Sequence, residues 1–144
     1  MPMRIPTHTA FRRAQRLCGA WIVALSLHGS GADLAPLDAG DEYRREIKPL
    51  LAARCYTCHG ALKAKAGLRL DTVEFMVTGG KSGPVVRRGD PAGSVILERV
   101  GTADLEKRMP PEHEGEPLTP EQVAVLRRWI AAGAPAPRDE KPEG

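Results

Sequence analysis

Two cysteines and a histidine fall within one short stretch of the chain, CYTCHG at residues 55–60. Side chains three positions apart share one face of a helical turn, so Cys55 and Cys58 could bond to one edge of the same flat molecule. The following residue is turned toward the centre of that molecule, where the imidazole of His59 could bind a metal. This CxxCH pattern is the attachment signature of c-type haem. It predicts one covalent haem c per chain, with thioether bonds from both cysteines and His59 as an axial iron ligand.

Three other chemistries could use these residues, and each lacks something that it needs. A structural zinc site takes four ligands, usually from paired CxxC segments, but residues 33–144 contain no second pair and His113 is their only other histidine. A thioredoxin-like redox pair is expected within a βαβ pattern, which the sequence does not show. A disulfide between Cys55 and Cys58 would close a very small, strained loop. The residues themselves therefore favour haem attachment.

A sixth iron ligand could come from the segment RMPP at residues 108–111. The thioether of Met109 is a soft ligand, and a Met/His pair raises the potential of haem iron. Two prolines follow Met109 and favour a stiff, extended backbone around it. Three alternatives remain open from the residues alone: Met109 packs against Trp129 as a core residue, His113 supplies a second imidazole, or the sixth position stays open. Two glutamates flank His113, which favours a solvated surface histidine.

Charge is distributed unevenly along the 144 residues. The net charge is +3, but residues 1–32 hold four arginines and no acid, while residues 33–144 hold 17 basic and 18 acidic residues. Without a basic surplus in the body, a nucleic-acid partner has little electrostatic support. No apolar run approaches the ~18 residues of a membrane-spanning helix, which excludes a polytopic membrane protein. Only three cysteines are present, which excludes a disulfide-dense scaffold.

The first 32 residues have the three-part pattern of a secretory signal peptide. A basic, acid-free stretch at 1–16 precedes an almost wholly apolar stretch at 17–27, and small residues at 30–32 fit a cleavage site before Asp33. A retained N-terminal anchor and a buried helix are the alternatives, although the apolar stretch is short for an anchor. The pattern predicts cleavage, loss of Cys18 with the leader, and a mature protein that is periplasmic or otherwise exported.

The CxxCH segment is expected at the end of an amphipathic helix that begins near Asp41. Apolar side chains recur at positions 43, 47, 50, 51 and 55, the spacing of one helical face. Pro49 lies inside this pattern and should kink or restart the helix, and it should push Lys48 away from αR geometry. Gly60 is the expected helix stop.

Helix-start signals place the remaining elements. A capping-box-like helix start lies at residues 71–74. Asp90 and Pro91 predict an N-cap followed by Pro at the first position of a helix that runs to Val100. Residues 119–122 give the clearest start signal, for a helix that ends by Gly133. No pair of strands is predicted. The sequence therefore predicts an all-α domain at 41–135, with three to four short helices and long loops around one haem. The Pro-rich, charged segment 136–144 is expected to be a linker-like or disordered tail.

These segments, taken in their order, resemble the planctomycete-type cytochrome c domain over residues 42–135. The similar segments are EIKPLLAARCYTCHG, GLRLDT, RRGDPAGSVILERV, RMPP and LTPEQVAVLRRWIAAGAP. The resemblance implies an all-α cytochrome c-like fold. It also implies that Cys55 and Cys58 are the thioether sites, that His59 is the proximal ligand, and that Met109 of the MPP motif is the distal ligand.

By the same resemblance the protein is expected to transfer electrons rather than to catalyse a reaction. Its partners would be redox proteins of unknown identity, with no nucleic acid and no stable membrane insertion after signal cleavage. Domains of this kind often begin much longer exported proteins, so a free carrier and a haem module of a larger redox enzyme both remain open. A haem-based ligand sensor is a further alternative.

Several side chains near these motifs have both a functional and a plain structural interpretation. Leu68 and Leu70 could line the haem. Arg69 or Arg108 could neutralise a haem propionate, because arginine matches carboxylates in a bidentate way, or could be solvated surface charges. The segment 63–65 with its two lysines could steer an acidic redox partner, or could be solvated surface.

Overall fold

Helices account for all the regular secondary structure in the computed structural model, which describes residues 40–144. The predicted signal peptide at 1–32 lies outside the described residues. Within those residues the all-α prediction is confirmed, since the only β-type pairings are two isolated bridges. The elements are a π-helical turn at Tyr43–Ile47, α1 at Lys48–Arg54, α2 at Tyr56–His59, a 3-10 turn at Lys65–Gly67, α3 at Val73–Thr78, α4 at Val95–Gly101 and α5 at Pro120–Ala131.

Residues 40–144 form five α-helices where three to four were predicted, because the first helix is divided at Cys55. The backbone of Cys55 has φ −126° and ψ −34°, which ends α1 and caps the short α2. The amide of Cys55 still donates to the carbonyl of Leu51 at 2.8 Å, so the two helices follow each other without a loop. Gly60 ends α2, as predicted.

Pro49 restarts the helix, but it does so through a π-helical turn. The π-turn ends at Ile47, and Pro49 lies in the first turn of α1. A proline ring inside an α-helix clashes with the carbonyl four residues earlier, and the wider π-turn changes that spacing. The prediction that Lys48 leaves αR geometry is wrong: it has φ −59° and ψ −45°. Inside the helical segment the preference for extended geometry before a proline is overridden.

Two of the three helix starts follow the sequence signals. The hydroxyl of Thr72 accepts a hydrogen bond from the amide of Phe75 at 3.2 Å and caps α3. At α5, Thr119 and Gln122 form a reciprocal capping box with Pro120 at the first helical position. Both helices therefore begin where their side chains can bind the free amides of the first turn.

The predicted start of α4 at Asp90 and Pro91 is wrong, because α4 begins four residues later at Val95. The carboxylate of Asp90 accepts from the amide of Gly93 at 2.8 Å, and its carbonyl accepts from the hydroxyl of Ser94 at 2.8 Å. Asp90 therefore closes a local turn, a common alternative role for this residue type. The buried Ser94 then lies at the N-cap position of α4.

The core joins α5 to the N-terminal helical segment. Trp129 is fully buried and lies with its ring centroid 5.7 Å from that of Tyr43, at an angle of 30°. Leu126 and Ile130 of α5 are also fully buried, as is Ile47. Trp129 therefore packs on the first helix, and its indole donates to the carbonyl of Pro135 at 2.9 Å.

The C-terminal segment 136–144, predicted to be a linker-like or disordered tail, forms hydrogen bonds and an ion pair with the body. The carboxylate of Glu140 accepts from the amide of Val73 at 3.0 Å, and the amide of Glu143 donates to Asp71 at 3.0 Å. Lys48 forms an ion pair with Glu143 at 2.8 Å. The composition of this segment predicts solvation of its charges, but partners distant in sequence hold it in place. Among residues 40–144 no helix is long and apolar enough to cross a membrane.

Candidate haem site

All four residues predicted to hold the haem line one cavity. Cys55, Cys58, His59 and Met109 surround a space of about 360 Å³ whose walls are mostly apolar. Cofactor sites in proteins are concave, largely apolar and a few hundred Å³ in size. The fold therefore brings a methionine about 50 residues away in sequence into the same cavity as the CxxCH segment.

The two thiols are held on a single turn of backbone. The carbonyl of Cys55 accepts hydrogen bonds from the amides of Cys58 at 3.1 Å and His59 at 2.8 Å. Both cysteines are free and partly buried. Burial raises the pKa of the Cys55 thiol to about 11, although the charge of Arg54 opposes that rise. The free Cys55 thiol is therefore neutral at neutral pH. Within the described residues no cluster of three or more potential metal ligands occurs.

The imidazole of His59 is oriented by the loop that follows it. Its Nδ1 lies 3.3 Å from the carbonyl oxygen of Leu68. A carbonyl can only accept, so Nδ1 carries the proton and Nε2 keeps the free electron pair that a metal binds. Burial lowers the pKa of His59, while its hydrogen bond to the carbonyl of Leu68 opposes that shift. The neutral imidazole, the form that binds iron, is thereby favoured.

The backbone of Met109 is hydrogen-bonded to the C-terminal part of α4. Its amide donates to the carbonyl of Arg99 at 2.8 Å, and its peptide bond with Pro110 is cis. Its side chain is 36% exposed and lies outside the hydrophobic core that contains Trp129. The alternative role of Met109 as a core residue packed on Trp129 therefore has no support. His113 is exposed and does not line the cavity.

Leu68 and Leu70 line the cavity, whereas Arg69 between them does not. The guanidinium of Arg69 binds the carboxylate of Asp71 in a bidentate way, at 2.9 Å and 2.6 Å, and lies 4.7 Å above the ring of Phe75. Arg69 is therefore occupied elsewhere, and the prediction that it binds a propionate is not supported. Arg108 also lies outside the cavity lining.

Sequence reasoning missed two parts of the cavity wall. One is a face of α4, where Val95, Arg99 and the residues next to them line the cavity. Their spacing of four residues is a signal that marks one helix face, but the sequence does not say what that face meets. The other is the glycine-rich loop at 80–83, which contributes Lys81. Irregular loops carry no periodicity, so this part had no sequence signal.

The residues present fit a covalently bound haem. One turn offers two thiols and a neutral imidazole with its free electron pair on Nε2, and the cavity beside it is apolar and includes a thioether. A helical domain with a CxxCH turn at such a cavity defines the class of c-type cytochromes. Comparison with known families matches residues 55–113 to the family described as Planctomycete cytochrome C. This segment is therefore similar to that family, and the resemblance seen in the sequence is confirmed over residues 55–113.

The matched segment contains CYTCHG and RMPP and ends before α5. It is shorter than the predicted range of 42–135. No curated protein and no solved structure matches the chain at a significant level. The match to a cytochrome c family suggests haem binding and electron transfer.

Proposed function

We propose that this protein is an exported c-type cytochrome that carries one haem and transfers single electrons. Cys55 and Cys58 would hold the porphyrin through thioether bonds, and His59 and Met109 would be the axial ligands of the iron. One observation carries the proposal: all four side chains line the same apolar cavity, although Met109 is far from the others in sequence. The leader-like segment at 1–32 supports export.

The protein's own residues would keep both ligand positions fixed in either oxidation state. His59 is restrained through Nδ1 by the carbonyl of Leu68, and its own carbonyl accepts from the amide of Leu70 at 2.8 Å. Met109 is restrained by its hydrogen bond to Arg99. A haem bound here supplies an iron that gains or loses one electron. Because both ligands are anchored through backbone atoms, little rearrangement would accompany that change.

Covalent attachment is tested first. The full chain is produced in a host that exports and matures c-type cytochromes, then denatured and weighed by mass spectrometry. One haem should remain attached to the wild type, and the double variant Cys55→Ser/Cys58→Ser should carry none. Wild-type protein that is colourless, with both thiols free, would refute the proposal. More than one attached haem would refute its single-haem component.

The axial ligands are tested by substitution of the thioether and of the rival imidazole. Met109→Ala should open the sixth position, so that the reduced protein binds carbon monoxide at once, loses the weak far-red band of sulfur ligation and has a lower reduction potential. His113→Ala is the matched control, since His113 is exposed and outside the cavity, and it should change none of these. The reverse result would assign His113 as the ligand. Rapid carbon monoxide binding by the wild type would favour a ligand sensor.

A further inference from the structure

The lining of the cavity is unusually basic for this chain. Over residues 40–144 the numbers of basic and acidic residues are almost equal, 17 and 16. Among the residues that line the cavity, however, there is one acid, Glu114, and there are four bases: Arg54, Lys65, Lys81 and Arg99. The two propionates of a bound haem would offset only part of this charge. A surplus of positive charge therefore remains in the cavity wall, and Lys65 and Lys81 carry part of it at exposed positions.

Two loops bring the lysines of this lining together. The amide of Lys81 donates to the carbonyl of Ala66 at 2.9 Å, which fixes the 80–83 loop beside the 3-10 turn at Lys65–Gly67. Lys65 and Lys81 are both exposed, and within the described residues neither forms an ion pair with a carboxylate. Their charges are therefore free to act on an approaching molecule.

An exposed leucine adjoins these lysines. Leu62 is 97% exposed, at a turn closed by the hydrogen bond from the amide of Gly60 to the carbonyl of Lys63 at 3.0 Å. The turn directly follows His59, and the pairing of His59 with Ala64 returns the chain to the cavity before Lys65. An apolar side chain is thus presented to solvent next to Lys63 and three residues before Lys65. We call Leu62, Lys63, Lys65 and Lys81 the lysine face.

We propose that the lysine face is the docking surface for an electron-transfer protein with an acidic surface, an inference that rests on the proposed electron-transfer function. Transient redox encounters use small interfaces, below about 1,200 Å². Their complementary charges accelerate association more than they strengthen binding. The lysines would attract and orient the acidic partner, and Leu62 would supply the apolar contact at the centre of a polar rim. The partner's redox centre would then approach the iron past Lys65 and Lys81.

The charge component is tested with two small oxidants of opposite charge. The reduced, haem-loaded full chain is mixed in a stopped-flow instrument with hexacyanoferrate(III) or with tris(phenanthroline)cobalt(III). Ionic strength is raised from about 0.01 M to about 1 M, which shortens the screening length from about 30 Å to about 3 Å. The rate should fall with salt for the anion and rise for the cation. Rates without salt dependence would overturn the proposal.

A charge-reversal pair assigns the effect to the lysine face. Lys65→Glu/Lys81→Glu should lower the low-salt rate with hexacyanoferrate(III) by tenfold or more, within the range known for electrostatic steering. Arg127→Glu/Lys141→Glu makes the same change in net charge at exposed residues outside the cavity lining, and should change the rate less than about twofold. Equal effects of the two double variants would refute the assignment.

A protein-sized probe tests whether the face docks a partner. Reduced acidic flavodoxin serves as the electron donor to the oxidised, haem-loaded chain. Leu62→Ser should slow this transfer at least about fivefold, as loss of a central interface contact does. An unaltered flavodoxin rate would refute the docking role of Leu62. Co-sedimentation with phosphatidylglycerol vesicles that Leu62→Ser abolishes would instead assign the face to an anionic membrane.

The two proposals fail in distinguishable ways. Absence of covalent haem, seen by mass and by spectrum before any rate is measured, would refute the proposed function. Intact haem with normal electron exchange, but with Lys65→Glu/Lys81→Glu behaving as its control does, would refute only the docking surface.

Discussion

Substitution of Asp71 tests most directly whether the C-terminal segment is packed against the body or is a disordered tail. Its carboxylate is fully buried and accepts three hydrogen bonds, two from Arg69 and one from the amide of Glu143. Asp71→Asn replaces one acceptor oxygen with a donor that faces other donors. A hydrogen bond to a charged group contributes about 1.5–3 kcal/mol. Because Arg69 is partly exposed and can be solvated again, we expect a loss of about 2–4 kcal/mol in the free energy of unfolding.

The pH dependence of this loss has a definite sign. Burial by itself would raise the pKa of Asp71, but the hydrogen bonds from Arg69 and from the Glu143 amide outweigh it and hold that pKa below its ordinary value. A depressed pKa means that Asp71 stabilises the fold above the unfolded-state value of about 3.9. That contribution is lost as the pH falls through the lower folded-state value. The difference between wild type and Asp71→Asn should therefore be constant from about pH 7 to pH 5 and shrink below about pH 4.

Urea unfolding of the haem-loaded proteins, followed by circular dichroism at several pH values, measures this difference. Asp104→Asn is the matched control, because Asp104 forms an exposed ion pair with Lys107 at 3.2 Å and should cost less than about 1 kcal/mol. Hydrogen exchange of the Glu143 amide should also accelerate in Asp71→Asn. The reasoning would be refuted by equal costs of the two substitutions, or by a difference that persists undiminished at about pH 3.

Two further substitutions test single backbone features by chemical denaturation. Gly79→Ala should cost more than about 2 kcal/mol of folding stability, because Gly79 has φ +80° and an added Cβ would overlap the carbonyl of Gly83. Gly101→Ala, where an added Cβ would meet open space, should be close to neutral. Similar costs at the two sites would contradict this prediction. Thr119→Ala should lower the free energy of unfolding by about 1 kcal/mol, because it removes the side-chain cap of α5. Thr119→Ser keeps the hydroxyl and should retain most of that stability. Equal losses of stability in the two variants would show that the cap does not stabilise the start of α5.

The candidate site could be predicted from sequence to the extent that its chemistry is local. The CxxCH turn needs only residues 55–59, and the structure forms it with hydrogen bonds within the turn itself. Met109 could be proposed from its residue type and the prolines after it, and the glutamates beside His113 favoured a surface role for that histidine, but these local signals do not show which side chain reaches the haem. The difference between them is whether the side chain lines the cavity, which depends on how α4 and the loop after it pack.

Errors in the fold prediction have a common physical origin. At Pro49 the helix is interrupted as predicted, but the interruption is a π-helical turn that leaves Lys48 in αR geometry. At Asp90 the side chain accepts a hydrogen bond as predicted, but it closes a local turn and does not begin α4. The tail was predicted as linker-like because its composition contains little to bury. Its contacts with the body involve two residues about 70 positions away. The carboxylate of Asp71 accepts from the amide of Glu143, and the amide of Val73 donates to the carboxylate of Glu140.

The sequence by itself determined the all-α class, the cap at Thr119 and the thiol–imidazole turn, because these depend on side chains within a few residues of one another. Only the tertiary structure decided that Met109 shares a cavity with His59, that Arg69 is committed to Asp71, and that Lys65 and Lys81 lie on adjoining loops. Each of these is a contact between distant segments. The free energy of such a contact depends on the packing of the whole core, and no short stretch of residues contains that information.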